Sequence, residues 1–261
     1  MINMPLVLNY LKHRFTAKTR HGVHSPFVYH LVDEIIYDFH AKSEYQEIES
    51  LRSALLVDNR VVNVTDLGAG SHVNNNKQKL VKTIAKNALK PARLAQLIYR
   101  LAKHVSPNRI IELGTCLGIT TAYLAKAAPQ ASVISIEGCP ETASVAAKNL
   151  SQLNIGNVNL QTGNFDEILP GIVNELESLD LVFVDGNHRK DATLNYFNWC
   201  LPKLSRHGMM IFDDIYWSEG MKEAWQEIKA HPQVTVTIDL FWIGLVFIRP
   251  GQVKEDFKIR F

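Results

Sequence analysis

From Pro107 onward, short runs of β-branched and aliphatic residues alternate with segments whose apolar residues recur every three or four positions. The runs Arg109 to Leu113, Ser132 to Ile136, Val158 to Gln161, Leu179 to Val184 and Met209 to Phe212 predict strands of a parallel sheet, because strands covered on both faces read as continuous apolar stretches. The periodic segments between them predict helices over roughly 119–128, 140–153, 165–176, 191–204 and 218–230, with Pro140 suited to a helix start. Two more strands, 234–239 and 242–248, follow with a turn too short for a parallel crossover, so the last must pair antiparallel. The pattern therefore predicts a doubly wound α/β sheet of seven strands with an antiparallel last strand. Right-handed crossovers place its functional loops at the carboxyl ends of the strands.

Upstream, residues 1–60 read as helical, with breaks near His21-Gly22 and Ser25-Pro26. Val28, Leu31, Val32, Ile35, Ile36 and Phe39 form one apolar stripe, and Ile48, Leu51, Leu55 and Leu56 another. These segments predict an N-terminal helical cap or lid over residues 1–90, ahead of a main domain over 91–261. The polar and aromatic loop His21 to Phe27 is a candidate for closing over a substrate.

Composition narrows the classes. At 261 residues and 46% hydrophobic content, the chain can bury a full core, and a net charge of +2 selects no partner. Cys116, Cys139 and Cys200 lack metal-site spacing and are odd in number, which argues against a disulfide framework and for a reducing cytoplasm. No apolar stretch nears the length of a membrane span. The four histidines His13, His21, His24 and His30 show no metal-ligand spacing, and surface or capping roles are expected for them.

Between Asp66 and Glu112 there is no acidic residue, while nine lysines and arginines occur. Lys79, Lys82, Lys86 and Lys90 would share one face of a helix, either as a solvated stripe or as an attraction for an anionic substrate or nucleic acid. Without an RNA-binding module or an aromatic platform, nucleic acid is not the expected partner. The stretch 64–71, V-T-D-L-G-A-G-S, imitates a nucleotide-binding turn, yet no strand ending in an acid follows at the right distance, so it is read as a decoy.

The chemistry concentrates at the strand ends. Glu112-Leu113-Gly114 and Gly118 form a glycine turn between strand and helix, spaced E-x-G-x-x-x-G. A pyrophosphate binder has G-x-G-x-x-G, so a nucleoside without a diphosphate is the expected ligand. Glu137 ends the second strand, placed to accept two ribose hydroxyls.

With these residues the chain resembles the class I S-adenosylmethionine-dependent methyltransferases, whose Rossmann-like sheet has the same antiparallel end. The resemblance covers about Pro91 to Pro250. It implies that Glu112, Gly114, Gly118 and Thr120 hold the methionine part of the cofactor, that Glu137 and Gly138 hold the ribose, and that Gly163, Asn164 and Phe165 border the adenine. In this topology the fourth and fifth strands are neighbours, so Asp185 and the pair Asp213-Asp214 converge at their tips. Three uncompensated carboxylates would repel, and a divalent cation, Mg²⁺ before Ca²⁺ or Mn²⁺, would remove the conflict. The other reading has Asp213 capping the following helix and Asp185 bonded to loop backbone.

At these tips the chain is similar to metal-dependent O-methyltransferases of the catechol O-methyltransferase type. That resemblance implies Asp185, Asp213 and Asp214 as metal ligands, Asp185 as a residue shared by metal, cofactor and catalysis, and His188 in the place of the family's lysine base. Imidazole can accept a proton near neutral pH. The acid that grips a second catechol hydroxyl has no counterpart near Phe241 and Trp242, so catechol itself is not the expected acceptor. The expected acceptor is a small molecule bearing a hydroxyl, with an anionic group on it and a homodimeric protein both left open. Tyr216, Trp217 and Trp242 could wall its pocket. A methyltransferase acting on nucleic-acid or protein nitrogen through the basic helix remains an alternative, as does a non-catalytic S-adenosylmethionine-binding protein; a dinucleotide oxidoreductase is disfavoured by the glycine spacing.

Overall fold

The computed structural model describes residues 4–65 and 77–261, so most of the 64–71 turn lies outside the described residues. The strands are β1 (Val61–Asn63), β2 (Gln78–Leu80), β3 (Arg109–Leu113), β4 (Ser132–Glu137), β5 (Val158–Thr162), β6 (Leu179–Val184), β7 (Leu204–Asp213), β8 (Val236–Asp239), β9 (Ile243–Phe247) and β10 (Glu255–Lys258). The helices are α1 (Met4–Thr16), α2 (Pro26–His30), α3 (Ser43–Leu55), α4 (Val81–Ala88), α5 (Ala92–Val105), α6 (Ile119–Ala127), α7 (Pro140–Gln152), α8 (Phe165–Glu175), α9 (Lys190–Cys200) and α10 (Glu219–Ala230). All seven expected strands form, and β9 alone runs against its neighbours in a sheet ordered β10-β8-β9-β7-β6-β3-β4-β5.

The eighth strand is the addition. β10 pairs parallel with β8 and buries Phe257 while presenting Glu255 and Asp256 to solvent. Charges on a short edge strand discourage pairing with other chains, and they also hide the strand from a search for apolar runs. Just beyond it, Ile259 bridges to Lys18, which ties the N-terminal segment to this edge.

Strand residues alternate between two cores. Ile110, Leu181, Phe183, Met209 and Ile211 face α5, α6 and the N-terminal elements, whereas Ile111, Leu113, Val182, Val184, Met210 and Phe212 face α8, α9 and α10. Val28, Leu31, Val32, Ile36, Ile48, Leu51 and Leu55 are buried in the first of these cores, as their spacing predicts. No break in the hydrophobic cluster falls near residue 90, because the N-terminal helices and the sheet share it. Phe39 and Leu56 depart from the stripes and are exposed; Phe39 lies past Leu31–Ile36, the π-helical segment that continues α2, and takes the Arg93 guanidinium over its ring, 4.6 Å from the centroid.

Two N-terminal expectations change. The Phe27 end of the loop His21 to Phe27 packs on Phe247, at 5.2 Å between centroids, and Phe247 pairs with Met209 in the middle of β7 and with Val236 at the start of β8, so this end of the loop lies away from the strand tips. α1 reaches them instead, with the buried His13 Nε2 3.0 Å from Asp239 Oδ1 and the Tyr10 ring 5.0 Å from that of Phe241. The basic stripe also breaks up. Lys79 belongs to β2 and Lys90 lies beyond the end of α4, so only Lys82 and Lys86 share that helix.

Candidate active site at the strand tips

The sheet register aligns the site. Leu113 pairs with Ile136 and with Val184, and Val184 pairs with Phe212, so the next residues, Gly114, Glu137, Asp185 and Asp213, stand at one level along the carboxyl edge. The chain reverses its direction of winding between β3 and β6, and a doubly wound sheet opens its ligand crevice at such a switch point. Gly114 is what lets the two tips meet there: its φ is +100°, and a Cβ on it would lie 1.9 Å from the Asp185 carbonyl oxygen.

Around this crevice the acids are positioned by local bonds. Glu112 is fully buried, and its Oε2 accepts from Thr121 Oγ1 and Ser135 Oγ, both at 2.6 Å, while Oε1 is buried without a partner among the described residues. Burial raises its carboxyl to about 7 against the help of Ser135 and Thr121. An orphaned buried acceptor one residue before Leu113-Gly114 fits a cationic donor such as the amine of a methionine group. Glu137 Oε2 accepts from the Cys116 amide at 2.8 Å and Oε1 from the Cys139 amide at 2.9 Å, which fixes the carboxylate at the β4 tip and leaves lone pairs for a diol. Burial raises the Glu137 carboxyl too, against those amide bonds.

The remaining residues expected to bind the cofactor lie along the same edge. Gly118, at φ +82°, caps α6, whose first turn carries the buried Thr120. Gly138 follows Glu137, and the Gly163 amide donates to the Glu137 carbonyl at 2.9 Å. Asn164 caps α8 by accepting from the Asp166 amide at 3.1 Å, and the Phe165 ring lies against Gly186, just past Asp185.

Glu112 gives a direct test. Its folded pKa lies above the ordinary value, so its contribution to stability is fully present below about pH 4.5 and is lost as pH rises through about 7. Relative to Glu112→Gln, the ligand-free wild type is expected to lose about 3 kcal/mol of stability across that window. Urea unfolding of both proteins at about pH 5 and about pH 8 reads the difference, and parallel pH profiles would contradict it.

The acidic cluster differs from expectation in two respects. Ligand atoms of Asp185, His188 and Asp213 lie within 4.8 Å of one another, whereas the Asp214 carboxylate faces His188, with Oδ2 3.8 Å from Nε2. Asp213 caps no helix; Ser218 caps α10, and Asp213 Oδ2 is bonded to the Lys90 ammonium. The same Nζ lies 2.9 Å from Asp185 Oδ1. Burial works against the Lys90 charge, but Asp185, Asp213 and Asp214 outweigh it and hold its pKa well above the usual lysine range. Burial pushes the Asp213 carboxyl upward, with Lys90 opposing, and Asp213 Oδ1 is buried without a partner among the described residues.

In donor type Asp185, His188 and Asp213 suit a divalent cation, and here the Lys90 ammonium spans two of those carboxylates, so a metal at this place would have to displace it. Lys90 is also the residue that reading the sequence missed: it was counted in a helical stripe, and a long-range ion pair leaves no local pattern. The one signal was Pro91, which stops a helix at Lys90 and turns that residue out of the stripe.

Toward the acceptor side, Tyr216 stacks on Phe241 at 4.9 Å and donates to Asp239 Oδ2 at 2.6 Å, with Trp217 and Trp242 partly exposed beside it. Asp239 is an acid at this edge, but its carboxylate is taken by His13, Tyr216 and the Phe241 amide. Burial would raise it, and the bonds from His13 and Tyr216 hold it low instead.

An α/β sheet with an acid-lined switch point offers a crevice that can take a nucleoside cofactor, and similarity to known proteins narrows the class. The family model of a methyltransferase domain matches residues 111–215. A catechol O-methyltransferase of Niastella koreensis is 36% identical over 117 residues, covering 44% of this chain and 52% of that protein. One of Mycobacterium tuberculosis is 31% identical over 132 residues, covering 50% and 58%. The chain thus spans about half the length of the curated relatives it matches. The O-methyltransferase TomG of Streptomyces achromogenes, solved in complex with S-adenosylmethionine, shares the fold, with a TM-score of 0.56 at 22% identity over 62% of this chain and 82% of that one. Residues 111–215 thus match a methyltransferase domain, and the chain is similar to catechol O-methyltransferases. The resemblance to S-adenosylmethionine-dependent O-methyltransferases is borne out.

Proposed function

We propose that this protein transfers the methyl group of S-adenosylmethionine to a hydroxyl of a small-molecule acceptor. The observation that carries the reading is the single level at which Gly114, Glu137, Asp185 and Asp213 stand, with the unpartnered Glu112 oxygen beside them. Glu112, Gly114, Gly118 and Thr120 take the methionine part, Glu137 and Gly138 the ribose, and Gly163, Asn164 and Phe165 the adenine. His188 Nε2, 3.9 Å from Asp185 Oδ1 and 3.8 Å from Asp214 Oδ2, accepts the acceptor's hydroxyl proton. The oxygen then forms a bond to the methyl carbon as the carbon–sulfur bond breaks, and the sulfonium leaves as a neutral thioether. Because the leaving group needs no charge stabilisation, alignment and exclusion of water are the protein's main contributions. The expectation of Mg²⁺ on Asp185, Asp213 and Asp214 is not part of this mechanism, since Lys90 holds that place.

The N-terminal segment enters through α1, whose Tyr10 joins Trp242 and Phe241 at the acceptor side as a partial cap. Exposed Met4, Leu8, Leu11 and Phe15 recur along α1 at helical spacing, which supports a homodimer through that face. No described helix is long and apolar enough to cross a membrane, and the free cysteines Cys116, Cys139 and Cys200 support a cytoplasmic setting. Dispersal of the lysine stripe weakens the nucleic-acid alternative.

The test is formation of S-adenosylhomocysteine from S-adenosylmethionine over a panel of phenols and hydroxy acids. His188→Ala is expected to lower kcat about 10²- to 10⁴-fold with cofactor affinity unchanged. An unaltered rate would remove His188 from the chemistry, and cofactor binding without turnover on any acceptor would favour a binding protein.

A further inference from the structure

We propose that Lys90 is the resident cation of the acidic tips, taking the position that a divalent metal would need, so that the protein neutralises Asp185 and Asp213 without a metal ion. The geometry is specific: one ammonium touches carboxylates from the ends of two neighbouring strands, β6 and β7. Its backbone is held from both sides. The Arg52 Nη1 donates to the Lys90 carbonyl at 2.7 Å, and the Pro91 carbonyl that follows accepts from the Leu94 and Ala95 amides at 2.9 and 3.0 Å, opening α5. The residue before a proline is kept extended, which aims the lysine away from α4 and toward the sheet edge.

The charge balance has a functional consequence under the methyl-transfer reading, on which that part rests. Asp185 and Asp214 carry two negative charges against one ammonium even before the buried Asp213 is counted, and His188 stands between Asp185 and Asp214. The surplus favours one further monovalent cation in the crevice, and the sulfonium of the methyl donor is such a group. A divalent ion would have to expel Lys90 from a pocket where its side chain is only 13% exposed, and would meet its repulsion until it did.

Mn²⁺ alone, titrated into the full chain and followed by the paramagnetic signal of the free ion and by thermal unfolding, tests this. Wild type is expected to show no saturable site and no change in Tm. Lys90→Gln is expected to bind one Mn²⁺ at least about tenfold more tightly and to be stabilised by it, and Asp213→Asn in the Lys90→Gln background to abolish that gain. Saturable binding or a raised Tm in wild type would overturn the proposal, whether or not the variant folds without metal. So would a gain in Lys90→Gln that survives Asp213→Asn. S-adenosylmethionine is titrated in the same buffers with chelator: its failure to bind would count against methyl transfer, while the Mn²⁺ results still decide the role of Lys90.

Discussion

Gly114→Ala is expected to destabilise the protein by roughly 2 to 4 kcal/mol and to remove cofactor binding. Two penalties coincide at this position. An L side chain is strained at φ +100°, and the added methyl would lie 1.9 Å from the Asp185 carbonyl oxygen, a backbone atom that cannot swing away. Relief requires the tips of β3 and β6 to part, which moves Asp185 off the level of Glu137. Gly156→Ala is the control, because no atom lies within 4 Å of its added methyl. Denaturant midpoints and cofactor titration measure both effects. A Gly114→Ala protein with wild-type midpoint and affinity would mean that the β3–β6 contact does not shape the crevice.

Asp213→Ala is expected to abolish turnover and to cost about 3 kcal/mol of stability as well, since breaking a buried ion pair leaves its partner without full compensation. Asp213 is 1% exposed, and Lys90 would be left against Asp185 alone. The sequence suggested an active-site acid, and its pairing with Lys90 makes it structural too. Lys90→Met combined with Asp213→Leu separates the roles, because an apolar pair of similar volume commonly restores stability. That double variant should regain its denaturant midpoint and remain inactive in the methyl-transfer assay. Wild-type turnover in Asp213→Ala would take the residue out of the mechanism.

The alternation of strand and helix from Arg109 to Phe247 was legible because buried parallel strands leave unbroken apolar runs and amphipathic helices leave a fixed period. The acids at the strand tips were legible for a related reason: once the strands are located, topology decides which ends are neighbours. What was hidden depends on tertiary contact. β10 is four residues long with two exposed acids, so it has no apolar run to detect. Lys90 looks like any lysine of a basic segment until β6 and β7 bring two carboxylates to it. His13 likewise resembled a surface histidine, and only the return of β8 places Asp239 against it. Phe39 matched a helical stripe but falls past the end of its helix, where a cation rather than a core meets it.

The proposed function places a methyl donor over Gly114, bounded by Glu112 and Glu137. Equilibrium titration of S-adenosylmethionine into the ligand-free protein, with S-adenosylhomocysteine as competitor, tests that seat most directly. The expected result is one saturable site per chain from which the competitor displaces the donor. Absence of saturable binding, or binding that the competitor leaves untouched, would contradict the account.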